Sequence, residues 1–67
     1  MTNTELLEKC IAESGYKKSF IARKIGKSAY ALSLKINNKT EFKASEITIL
    51  CELLGIDDQE RMSIFFA

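Results

Sequence analysis

Five side chains between Ser28 and Asn37 are suited to reading a polar surface rather than reacting with it. Ser28, Tyr30, Ser33 and Asn37 carry short or rigid hydrogen-bonding groups, and Ala29 is small and apolar. Lys18, Lys24, Lys27, Lys35 and Lys39 surround them in sequence. Polar side chains at base edges, with cations for the phosphates around them, are the chemistry of nucleic-acid recognition. Ser28 and Ser33 can hydrogen-bond a base or a phosphate, and Ala29 can touch a thymine methyl.

Bond-making chemistry is poorly served by this composition. The chain has no histidine, hence no histidine-based triad or general base. It has no glycine-rich phosphate loop. Its glutamates are spaced like those of solvated helix faces. Two cysteines without histidine do not complete a zinc site of ordinary composition. Cys10 and Cys51 both fall on apolar stripes, where free cysteine packs as a small hydrophobe. We therefore expect no catalytic residue, no metal and no cofactor. Nothing suggests a small-molecule ligand either, because a core this small leaves no room for a deep pocket.

Net charge is only +1, which by itself argues weakly against a polyanionic partner. Its distribution argues the other way. Residues 17–43 hold Lys17, Lys18, Arg23, Lys24, Lys27, Lys35, Lys39 and Lys43 against the single acid Glu41, giving +7; the flanks together carry −6. Such a polarised field steers a polyanion onto one face.

These side chains need helices to present them. Sixty-seven residues, 46% of them hydrophobic and none of them proline, make one small domain over 1–67. Thr2 to Ser14 reads as the first helix, with Thr2 and Glu5 at capping-box spacing and an apolar stripe of Leu6, Leu7, Cys10 and Ile11. Lys17 to Ile25 is the second, with Ile21, Ala22 and Ile25 facing inward. Phe20 is either core or a partly exposed cover, and core is favoured because aromatics dominate small cores. Gly26 ends this helix and Ser28 is the candidate N-cap of the next, which runs through Ala29 to Ile36. Asn38 stands where a left-handed residue closes that helix. Ala44 to Leu54 is the fourth helix, with Ile47, Leu50, Cys51 and Leu54 as its stripe and no obvious N-cap at Lys43. A short fifth helix covers Asp58 to Ser63, opened by Asp57 and Glu60 at capping-box spacing.

At Ile21-Ala22, Gly26, Ser28 and Leu32 the chain resembles the helix-turn-helix of the phage-repressor and Cro (XRE-type) superfamily. The continuation through Asn37-Asn38-Lys39, Glu41-Phe42 and Ser45-Glu46-Ile47 is similar to small Cro-like regulators of Gram-positive phages and prophages. The resemblance implies an all-α, five-helix, lambda-repressor-like fold, with the motif at 18–37. It implies a transcriptional regulator, in repressor or Cro style, that reads the major groove of double-stranded DNA with the helix 28–36. Carried onto this sequence, the contacts are Lys18, Ser19, Lys27, Ser28, Ala29, Tyr30, Ser33, Leu34, Asn37 and Lys39. Lys18 replaces the glutamine that commonly opens the first motif helix. Lys27 replaces an aliphatic residue after the turn glycine, where its stem can lie on the core and its ammonium reach outward. Lys35 also occupies a place more often apolar.

The stretch Ile64-Phe65-Phe66 has two readings. It folds back on the first and last helices, or Met62 to Phe66 forms a short extended segment whose exposed apolar residues recruit a second copy. The resemblance implies a homodimer, weak without DNA, and we expect Ile64, Phe65 and Phe66 to contribute to it. A second functional class uses the same fold as a protein-binding, antirepressor-type module, through Leu34 and the same terminal residues. With no run of eighteen apolar residues and no signal-like N-terminus, the expectation is a cytoplasmic protein without membrane contact.

Overall fold

The computed structural model describes residues 1–67. It is all-α, with five helices and no strand: α1 Thr4–Ser14, α2 Lys18–Lys24, α3 Ala29–Ile36, α4 Ala44–Leu54 and α5 Asp58–Phe65. α1 is the hub, packing against α3, α4 and α5, while α2 packs chiefly on α3. Each helix contributes one face to a single core of Leu7, Ile11, Ile21, Ala22, Ile25, Leu32, Ile36, Ile47, Leu50, Ile56, Ile64 and Phe65. Phe42, in the α3–α4 loop, meets Phe65 edge-on at 5.4 Å between ring centroids, a geometry aromatic quadrupoles favour.

The turn between α2 and α3 follows from Gly26. Its φ of +74° is a left-handed backbone that glycine adopts without Cβ strain. The Gly26 N–H then reaches Arg23 O at 3.1 Å and the Lys27 N–H reaches Ala22 O at 2.9 Å. That pair of bonds is a Schellman closure, which satisfies carbonyls left open at a helix end. The same closure ends α3, with Asn38 (φ +63°) in the glycine's role, Asn38 N–H on Lys35 O and Lys39 N–H on Leu34 O. Ser28 caps α3 as expected, its Oγ accepting from Ala31 N–H at 3.1 Å.

Several expectations are corrected. The N-cap of α1 is Asn3, whose Oδ1 accepts from Leu6 N–H, and the Thr2–Glu5 box does not form. Thr2 has a different engagement: its N–H donates to Asn38 Oδ1 while Asn38 Nδ2 donates to Thr2 O. Leu6 lies on the rim of the α1 stripe, exposed rather than in the core. Phe20 is the half-buried cover, not core; it lies between Tyr16, at 5.1 Å between rings, and the Lys24 ammonium at 5.3 Å. The extended C-terminal segment is absent, because α5 continues to Phe65 and buries Ile64 and Phe65. Of the three residues expected at a dimer contact, only Phe66 is on the surface, 56% exposed. Cys10 and Cys51 are free thiols packed at the core edge. Burial pushes both thiols up, and Glu60 and Glu13 add to the effect at Cys10.

Candidate nucleic-acid interface

α3 buries Leu32, Lys35 and Ile36. Its opposite side is open: Ala29, Tyr30, Ser33 and Asn37 are all exposed, Tyr30 at 74%. Tyr30, Ser33 and Asn37 are separated by three and four residues and so share one helix face. Asn37 Nδ2 donates to Ser33 O at 2.9 Å, which fixes the amide and leaves its Oδ1 free to accept. Ser28 sits at the start of this face with Oγ already accepting from Ala31, so its hydroxyl proton remains to donate outward. Leu34 is half-buried and lies at the margin. Ser19 is exposed in the first turn of α2.

The expected cations divide into three groups. Lys39 is exposed and makes no ion pair, as do Lys17, Arg23, Lys24 and Lys43. Lys18 is exposed but its ammonium lies 2.9 Å from Glu8 Oε2. Lys27 stands 4.0 Å from Glu46 Oε2 and is itself partly exposed. Lys35 departs most from expectation. Counted among the outward cations, it is instead buried, with Nζ 3.1 Å from Glu46 Oε1 and 2.9 Å from Glu41 O, beside the Phe42 ring.

Glu46 is the residue the sequence reading missed. It is 3% exposed, and its Oε1 also accepts from the Lys43 N–H at 2.8 Å, capping α4. Lysine offers no acceptor in return, so only this half of a capping box forms. Burial alone would raise the carboxyl's pKa. Hydrogen bonds from Lys43 N–H and the Lys35 ammonium, with the charges of Lys35 and Lys27, outweigh it and hold Glu46 below the ordinary carboxylate range. The sequence signal was present in two parts: a lysine at an apolar helix position, and a glutamate three residues after an uncapped helix start.

The largest surface hollow, about 340 Å³, runs between α1 and α5 past Leu6, Cys10, Glu13, Asp57 and Glu60, and contains no residue of α3. No three histidine, cysteine, aspartate or glutamate side chains gather as a metal-binding group. No helix is long and apolar enough to cross a membrane.

The chain is thus an all-helical five-helix domain with one polar helix face flanked by cations. By comparison with known families, it belongs to the one described as "Protein of unknown function (DUF739)", whose pattern matches residues 2–67. No curated protein and no solved structure matches it.

Proposed function

We propose that this chain is a sequence-specific DNA-binding regulator of the phage-repressor and Cro helix-turn-helix type, with α3 as the helix that enters the major groove. One observation carries the reading. α2, the Gly26 turn and α3 leave Ala29, Tyr30, Ser33 and Asn37 open along one side of α3, and eight of the chain's ten basic residues lie between Lys17 and Lys43, all but Lys35 of them on the surface. A tyrosine 74% exposed on a small domain has no packing role, whereas an aromatic hydroxyl beside a serine and an asparagine suits base edges. Lys39 at the end of α3 and Lys17 before α2 are free to take phosphates. Lys18 and Lys27 must first leave their glutamates. In this reading the protein is a cytoplasmic regulator and not an enzyme.

Dimerisation belongs to the same proposal. The domain measures 27 × 24 × 21 Å, shorter than the roughly 34 Å between successive major-groove faces. One copy therefore covers one half-site, and two copies on a near-palindrome give selectivity. Phe66 and Met62, 56% and 60% exposed, are the large apolar residues that the C-terminal segment leaves open for the contact. The antirepressor reading is weaker, because Ile64 and Phe65, on which it drew, are inside the core.

The test is selection of duplexes from a random-sequence pool, followed by titration of the enriched and a scrambled duplex at two salt concentrations. Enrichment of a shared motif, with affinity falling at higher salt, supports the reading. No binding to either duplex at low salt overturns it.

A further inference from the structure

The joint between α3 and α4 is built with charge where an apolar contact would serve. Lys35 comes from the inner side of α3 and Glu46 from the first turn of α4, and both are buried. The Lys35 ammonium has two fixed acceptors, Glu46 Oε1 at 3.1 Å and Glu41 O at 2.9 Å. Glu46 in turn is fixed by Lys43 N–H. Four residues from α3, the loop and α4 thus hold one geometry through directional bonds. A buried ion pair is a poor source of stability, since desolvation offsets the attraction, and its best-attested use is to specify one arrangement among near-equal packings.

Lys27 joins the same carboxylate from the other side. Its ammonium is 4.0 Å from Glu46 Oε2 and a third of its side chain is exposed. At that distance the contact is an ion pair without a short hydrogen bond. Glu46 has its charge neutralised by Lys35 already, so Lys27 can exchange Glu46 for an outside anion at little cost.

We propose that Glu46 is a positioning residue for the α3 surface: it holds Lys35, and so the tilt of α3, and it keeps Lys27 beside the turn for transfer to a DNA phosphate. The inference rests on the DNA-binding reading above. Glu46 does not touch the nucleic acid; it acts through Lys35 and Lys27. Loss of the pair lets α3 rock on a greasy joint, which harms contacts that depend on direction. Contacts to phosphate depend mainly on charge and are affected far less.

The test compares wild type with Lys35→Met/Glu46→Met, in which two unbranched apolar side chains replace the pair and net charge is unchanged. Affinities for a pool-selected duplex and for a scrambled one are measured by fluorescence anisotropy at fixed salt, at a temperature where circular dichroism shows both proteins folded. The expected result is a loss of about tenfold or more on the selected duplex, with scrambled affinity close to wild type because net charge is unchanged. A ratio of selected to scrambled affinity within twofold of wild type overturns the proposal and leaves the pair a packing feature. If the double variant does not fold, Glu46→Asp takes its place, with the charge kept but drawn back by one methylene, and the same ratio decides. Wild type that binds neither duplex overturns the DNA-binding reading itself, an outcome distinct from an unchanged ratio.

Discussion

Thr2 and Asn38 clasp each other through two hydrogen bonds of 2.8 Å, backbone N–H to Oδ1 and Nδ2 to backbone carbonyl. Asn38 does this from a left-handed backbone, φ +63°, so one residue closes α3 with its main chain and ties down the approach to α1 with its side chain. The Thr4 hydroxyl adds a third bond to the same place, donating to Ile36 O at 2.6 Å. Replacing Asn38 by alanine removes both clasp bonds and keeps the strained backbone; we expect a loss of about 2–3 kcal/mol. Asn38→Gly removes the bonds but relieves the backbone, and should cost about 1 kcal/mol less than alanine. Urea unfolding of the two variants checks the order.

Gly26→Ala isolates the backbone term at the α2–α3 turn. A Cβ there meets no atom within 4 Å, so no side chain or backbone has to move. What remains is the left-handed φ of +74°, costing about 1–2 kcal/mol. A destabilisation in that range by thermal or urea unfolding, with an unchanged helical spectrum, is the expected outcome.

Glu46 gives stability a defined acid limb. Its carboxyl titrates below the ordinary value in the folded protein because Lys43 N–H, Lys35 and Lys27 favour the anion despite burial. The unfolded chain therefore binds this proton at higher pH than the folded one. The contribution is complete above about pH 5 and drains as the pH falls through the ordinary value of about 4.3 and then the depressed one. Wild type should lose unfolding free energy more steeply between pH 5 and 3 than Lys35→Met/Glu46→Met, measured by urea titration at each pH.

Phe65 and Phe66 should behave as different kinds of residue. Phe65 is 4% exposed and packs on Phe42, so Phe65→Ala is expected to cost about 3–5 kcal/mol, enough to unfold a domain of this size near room temperature. Phe66→Ala should change monomer stability by less than about 0.5 kcal/mol. In the proposed dimer it should reduce cooperativity on a paired site and leave half-site affinity nearly intact, a combination read by titrating one- and two-half-site duplexes.

The cations should separate by their partners. Lys39 is free, so Lys39→Gln should lower the slope of log affinity against log salt by about 0.9. Lys35→Gln should leave that slope alone and instead destabilise the fold, because it strands Glu46 in the core. Tyr30→Ala and Ser33→Ala should each cost about 1–3 kcal/mol on a selected duplex and little on a scrambled one. Equal losses on both duplexes would move base readout off this face of α3.

What the sequence made legible was the part written in apolar periodicity and turn chemistry. Ile47 and Leu50 marked the inner face of α4, Gly26 marked a turn, and Ser28 marked a cap. The α3 face was legible for the same reason: once Leu32 and Ile36 are inside, Tyr30 and Ser33 must be outside. The errors arose where a side chain had two physically sound options. Lysine at 35 has a stem that packs and a charge that solvates, and only the carboxylate of Glu46, eleven residues on, settles which end governs. The tail Ile64-Phe65-Phe66 suits a strand locally. It became helix because Ile64 and Phe65 fill the core, and tertiary burial outweighs strand preference. The cap of α1 fell to Asn3 because the helix starts at Thr4, and the Thr2 backbone is held instead by Asn38, a relation no local spacing contains.

A further backbone bond ties the start of α1 to the end of α5. Beside the Thr2–Asn38 clasp, the Asn3 N–H donates to Ile64 O at 2.6 Å. The entry to α1 is therefore fastened to the exit of α3 and to the last turn of α5 at once. Opening of either end then breaks ties to the other, so α1 and α5 do not fray independently. The Asn3 amide should exchange its hydrogen as slowly as the amides of Leu7 and Leu50 in the core, through the unfolding of the whole molecule rather than the fraying that loosens most chain ends.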